Sequence, residues 1–266
     1  MKAIKSVFAS VFAATLLCAT ASAGAADLLD TVKQAGVLKI AVEGTYPPFT
    51  YRGAGGALEG FDIEVAKALA AKLGVKPEFV VIEWGGILSG LQEGKFDVIV
   101  NQVTITPERQ KVLDFSQPYV FSAAQLIQRA KDERQIMALA DFTGDKKLGV
   151  TAGSNYHQMA RAVSGINVKT YEGAPEKLGD LVRGQIDATI DDRLMVAHII
   201  KQFRMPLRPG AILKGPQQEM GIPFRKGNPK FAKAIDEALS SMRQDGTLKK
   251  TSVNWFGADT SVPAAL

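Results

Sequence analysis

Two short apolar runs, Phe96–Val100 (FDVIV) and Ile186–Ile190 (IDATI), constrain this chain more than any other feature of it. A run of this kind has almost no polar side to show to water, so it fits a strand covered on both faces, as in sheets whose connections pass through helices. Each run ends a repeating pattern of strand and helix. Ahead of the first come VLKIAV, with Leu38, Ile40 and Val42 alternating, then FDIEVAKALAAKLG, EFVVIE and a short helical GILSGLQEG. In the longer helix Phe61, Val65, Leu69 and Leu73 recur every fourth residue and Gly74 terminates it. The order starts again at Lys147–Val150 (KLGV), with a helix from about Asn155, a strand at VKTY, a helix around PEKLGDLVRG, IDATI, and a helix through RLMVAHIIKQF. Two such series imply two α/β units, each with a mainly parallel sheet and right-handed crossovers. The 266 residues suffice for one large domain or two small ones.

Between the regular elements, EGTYPPFTY is expected to be a loop, since two prolines forbid a regular ladder, and RGAGG a surface turn. A helix over Phe231–Met242 is expected to close one unit, and Trp255 and Phe256 to belong to a packed tail. At the other end Lys2 and Lys5 precede an apolar run from Val7 to Leu17 and then Ala21-Ser22-Ala23, the pattern of a cleaved secretory signal over residues 1–23. The run is about half the ~20 residues a spanning helix needs. Cys18 falls in this leader, and Leu17 stands where a lipoprotein signal wants a small residue. The mature chain is therefore expected to be exported, soluble and free of cysteine.

Charge and motifs exclude several classes of function. Removing residues 1–23 takes Lys2, Lys5 and no acid, which lowers the formal charge from +5 to +3. With bases scattered among acids and no basic helix, nucleic acid is a poor partner. His157 and His198, far apart and without ligand spacing, offer no metal centre, and no cofactor is expected. Nucleophile-elbow, phosphate-loop and zinc-protease motifs do not occur. What remains is ligand binding beyond the C-terminal ends of the strands, where EGTYPPF, NQVTITPER, GSNY and DDR are expected to gather.

Those segments carry a resemblance. EGTYPPF, GFDIEVAKALAAKLG, NQVTITPERQKVLDFSQPY, LGVTAGSNY, IDATIDDRL and RKGN, in that order over essentially the whole mature chain, resemble the periplasmic amino-acid-binding proteins of ATP-driven importers, solute-binding protein family 3. Together with VKTY and WFGAD, they look closest to the cystine-binding branch. The resemblance implies two α/β lobes joined by a two-strand hinge, lobe one from residues 27–121 and 220–266 and lobe two from 122–219. It implies a monomer that delivers its ligand to a membrane permease, and no enzyme activity.

It also assigns roles. Arg109 takes the ligand α-carboxylate through a planar fork that lysine lacks, helped by the Thr104 amide and by Ser154 and Asn155 at a helix start. Asp192, chosen over Asp191 by its place before Arg193-Leu194, takes the α-ammonium with the Gln102 carbonyl and the Thr104 hydroxyl. Tyr46 and Trp84 wall the ligand stem. Glu43 faces the ligand side chain, where a second carboxylate would suit the second ammonium of cystine. Two alternatives stay open here: a receptor for basic or other polar amino acids, and a dehydratase acting on a cyclic precursor of aromatic amino acids, with Glu43 or Glu172 as general acid.

Overall fold

The computed structural model describes residues 26–263, so the leader expected at 1–23 lies outside the described residues. The chain runs α1 (Leu28–Ala35), β1 (Val37–Val42), β2 (Thr45–Tyr46), β3 (Thr50–Arg52), β4 (Leu58–Glu59), α2 (Phe61–Lys72), β5 (Lys76–Val81), α3 (Trp84–Gln92), β6 (Val98–Ile99), α4 (Pro107–Gln110), β7 (Leu113–Phe115) and β8 (Val120–Ser122). It continues through β9 (Ala124–Arg129), β10 (Lys147–Thr151), α5 (Asn155–Arg161), β11 (Asn167–Tyr171), α6 (Ala174–Val182), β12 (Ala188–Asp192), α7 (Arg193–Gln202), β13 (Leu207–Ile212), β14 (Gln218–Met220), β15 (Pro223–Arg225), α8 (Pro229–Gln244) and α9 (Thr247–Phe256).

Two five-stranded sheets result, in the orders β5-β1-β6-β15-β7 and β11-β10-β12-β9-β13. In the first, β1 pairs parallel with β5 and β6, while β15 pairs antiparallel with β6 and β7. In the second, β10 pairs parallel with β11 and β12, while β9 pairs antiparallel with β12 and β13. One strand in each sheet thus runs against the other four. It is the strand that has just crossed from the other lobe, so its direction follows from the path of the chain. The crossings themselves, β8 and β14, form a separate antiparallel pair with Phe121 opposite Glu219.

The apolar runs do what their composition demands. Val98, Ile99 and Val100 are fully buried, with α2, α8 and β1 contributing Leu69, Ile235 and Ile40 to one core, and α3 contributing Ile87 and Leu91 to another. Each such side chain contributes roughly 1.5–3 kcal/mol on burial. In lobe two, Ala188 and Ile190 belong to a third core with Leu148, Val150 and Tyr156.

Two expectations need correction. EGTYPPFTY is not an irregular loop: Thr45 and Tyr46 pair with Tyr51 and Thr50, because both prolines sit in the turn and leave the ladder positions free. The strand read as Ile186–Ile190 spans Ala188–Asp192, two residues further on, which carries both aspartates into it. Trp255 and Phe256 do belong to a packed tail, here the regular helix α9, with Phe256 packed on Phe49 and Phe61 and the Trp255 indole donating to Glu64 at 3.0 Å. No helix among the described residues is long and apolar enough to cross a membrane.

Candidate functional site

Because the β1, β6, β10 and β12 strands point the same way within their sheets, their C-terminal ends bring polar residues from both lobes to one cavity. Lobe one lines it with Glu43 after β1, Tyr46 in β2, Trp84 at the start of α3, and Asn101 and Gln102 after β6. Thr151, Ser154, Asn155, Tyr156, Ala174, Asp191 and Asp192 line it from the second lobe, and Met220 from the crossing strand.

The two adjacent aspartates are treated differently. Asp191 meets the ammonium of Lys177 at 2.7 Å, both side chains being essentially buried, and also accepts from the Tyr46 hydroxyl at 2.5 Å and from the Asp192 amide at 2.9 Å. Its charge is matched within the protein, and the Tyr46 bond ties one lobe to the other. Asp192 caps α7: Oδ1 accepts from the Leu194 amide and the Ser122 hydroxyl, each at 2.8 Å. Its Oδ2 has no partner among the described residues, and burial pushes the carboxyl up to about 7. Of the pair, Asp192 is the one left with an unmatched oxygen.

Glu43 is clamped by Asn101, whose Oδ1 accepts from the Glu43 amide and whose Nδ2 donates to Glu43 Oε2, both at 2.9 Å. Burial raises this carboxyl to about 7 as well, with the Asn101 bond acting against the shift.

Arg109 is not a solvated charge. It sits in the short α4, whose cap Thr106 accepts from the Arg109 amide, and it is 4% exposed. Nη1 donates to the Thr104 carbonyl at 2.8 Å, and the guanidinium lies 5.4 Å from the centre of the Trp84 ring. Nε and Nη2 have no partners among the described residues. Burial lowers its pKa to about 10, which leaves it charged at neutral pH.

Seven of the sequence-derived candidates, Glu43, Tyr46, Trp84, Gln102, Ser154, Asn155 and Asp192, line the cavity. Arg109 and Thr104 stand beside it: Arg109 against Trp84, Thr104 on an adjoining groove that shares Asn155 with the cavity. The Ser154 hydroxyl is occupied as the cap of α5, accepting from the His157 amide at 3.1 Å, whereas Asn155 Nδ2 is buried and has no partner among the described residues. Gln102 adopts φ 51°, a left-handed conformation uncommon for a residue with a β-carbon.

Sequence reasoning did not single out Asn101, Thr151, Tyr156 or Lys177. Asn101 opens the segment that carries Gln102 and could have been read from its place after a buried strand. Lys177 gave no signal, since a lysine in a charged helical stretch reads as solvated, and only packing shows it to be buried. Among the described residues no cluster of His, Cys, Asp and Glu could hold a metal ion.

Comparison with known proteins gives a consistent result. Residues 38–258 match the bacterial extracellular solute-binding proteins, family 3. The chain is 42% identical over 236 residues to the L-cystine-binding protein TcyJ of Escherichia coli (strain K12), which covers 88% of each chain. Among solved structures, the ancestral amino acid-binding protein AncCDT-1, a precursor of cyclohexadienyl dehydratase, aligns with a TM-score of 0.80 at 33% identity, over 87% of this chain and 100% of that one. An ancestral arginine-binding protein bound to arginine aligns with a TM-score of 0.79 at 37% identity, over 84% of this chain and 99% of the other.

Proposed function

The chain belongs to the bacterial extracellular solute-binding proteins of family 3, and from that premise we propose that it captures a free amino acid, L-cystine in the first instance, between its lobes and delivers it to the permease of an ATP-driven importer. It is a binding protein rather than an enzyme, as its relatives are named. In this reading residues 1–23 direct export to the periplasm, lobe one comprises 27–121 and 220–266, lobe two comprises 122–219, and the protein works as a monomer.

One observation carries the assignment: buried groups of opposite charge, on opposite lobes, keep hydrogen-bonding atoms unmatched. Arg109 offers Nε and Nη2 from lobe one, and Asp192 offers Oδ2 from lobe two. Leaving such atoms buried and unpaired costs free energy, roughly 1–3 kcal/mol for each neutral group and more for a charged one. An α-amino acid removes both costs, its carboxylate at Arg109 with Thr104, Ser154 and Asn155, and its ammonium at Asp192 with Gln102. Since one molecule satisfies both lobes only when they are together, binding favours the closed form. Tyr46 and Trp84 flank the stem, and Glu43, already clamped by Asn101, meets the second ammonium of cystine.

A receptor for arginine or lysine is the competing reading, favoured by the likeness to the arginine-bound ancestral protein and by a Glu43 that would equally meet a cationic side chain. Titration calorimetry with cystine, arginine and lysine separates the two. Cystine is expected to bind at least about tenfold tighter, a difference of about 1.4 kcal/mol. Binding of arginine or lysine with no response to cystine would overturn the cystine assignment.

A further inference from the structure

Asp62, in α2, is wholly buried, and its two oxygens are unequally served. Oδ1 accepts from Gln102 Nε2 at 2.8 Å and from the Tyr119 hydroxyl at 2.9 Å. Oδ2 has no partner among the described residues, and neither has Gln102 Oε1. The Nε2–Oδ1 bond therefore joins one corner of a carboxyl to one corner of a carboxamide, and the two corners left over are both oxygens. For an ionised carboxylate both are acceptors, so neither can satisfy the other. Inverting the Gln102 amide would not help, because it would set an oxygen against Oδ1 instead. A single proton on Oδ2 resolves the conflict: the acid donates to Gln102 Oε1 while Gln102 Nε2 donates to Oδ1.

We propose that Asp62 is held as the neutral acid in a two-bond acid–amide pair with Gln102 and thereby acts as a positioning residue for the cleft. Tyr119 closes the same unit from the other side, since its hydroxyl accepts from the Gln102 amide at 3.3 Å while donating to Asp62. Gln102 is thus tied through both backbone and side chain to one carboxyl. This is the kind of over-determination needed to hold a left-handed residue with a β-carbon at a site wall. The titratable groups acting on Asp62 are Tyr119, itself kept protonated by burial and favouring the carboxylate through its hydrogen bond, and Asp192 of lobe two, whose charge disfavours a second carboxylate. Burial is the largest influence and prevails over the Gln102 and Tyr119 hydrogen bonds, raising the Asp62 carboxyl to about 7.

The protonation state does not depend on which ligand the cleft takes; only the positioning step rests on the proposed function. Carbon-13 NMR of the ligand-free protein, labelled at aspartate carboxyl carbons and assigned through bonds to residue 62, is expected to show a protonated acid at pH 6. A carboxylate shift there would overturn the pair. For the positioning step, Asp62→Asn presents an amide N–H where the acid presents O–H. It is expected to bind whichever of cystine or arginine the natural protein binds within about threefold of its affinity, whereas Asp62→Ala, which strands Gln102 and Tyr119, loses about tenfold or more. An Asn variant that folds and still loses affinity tenfold would refute the neutral pair, and this comparison stands even if the Ala variant does not fold. Failure of the natural protein to bind either amino acid would refute the proposed function and leave the NMR result intact.

Discussion

Replacing Arg109 with methionine separates a ligand-holding charge from a structural one. Methionine keeps an unbranched stem against Trp84 and removes only the guanidinium. Without ligand, that group makes one hydrogen bond among the described residues, to the Thr104 carbonyl, and one cation–π contact, and leaves Nε and Nη2 without partners there. The bond contributes about 1.5–3 kcal/mol and the ring contact about 0.5–2 kcal/mol, while the two stranded donors of this charged group cost at least about 1–3 kcal/mol each. These terms offset, so the unfolding free energy of the ligand-free protein should change by less than about 1 kcal/mol. With ligand bound, the same substitution strands a buried carboxylate, at a cost of about 2–5 kcal/mol. At about 1.4 kcal/mol per tenfold, that is a loss of roughly 30-fold to 4,000-fold in Kd. Urea denaturation of the ligand-free protein and titration calorimetry read the two quantities separately. A stability loss of about 3 kcal/mol or more, with Kd almost unchanged, would show that Arg109 serves the fold and would remove the basis for a zwitterion site.

The Lys177–Asp191 pair should behave in the opposite way: Lys177→Met leaves Asp191 buried without its cation and should lower stability by about 3–5 kcal/mol in urea denaturation, and a change below about 1 kcal/mol would mean that solvent reaches the pair. Glu43, Asp62 and Asp192 are each raised to about 7, so the folded state holds protons that the unfolded chain gives up near pH 4. The stability they contribute is full below that pH and is lost as pH rises through about 7, so the melting temperature of the ligand-free protein should fall between about pH 4.5 and 7.5. A ligand ammonium against Asp192 favours its ionised form, and calorimetry at pH 6 in buffers of different ionisation enthalpy should detect proton release that Asp192→Asn reduces to the share from Glu43; no release from the natural protein would place the ammonium elsewhere.

The sequence by itself determined the layers and the neighbourhood of the site. FDVIV and IDATI had to be covered on both faces, the four-residue recurrence from Phe61 to Leu73 supplied a covering helix, and the strand ends told where polar residues would gather, because these signals are local and periodic. Glu43, Gln102, Asn155 and Asp192 were legible on that ground together with the resemblance. The tertiary structure decided which charges are matched. Asp191 and Asp192 are chemically the same in sequence, yet one finds Lys177 and the other an α-helix cap, because β12 begins two residues later than its apolar core suggests and α6 packs its lysine beneath it. Lys177 and Asp62 stand in stretches that read as ordinary helix faces, and their importance arises only from burial and from partners 14 and 40 residues away along the chain. Desolvation and pairing are properties of the folded interior, and no pattern of neighbouring residues encodes them.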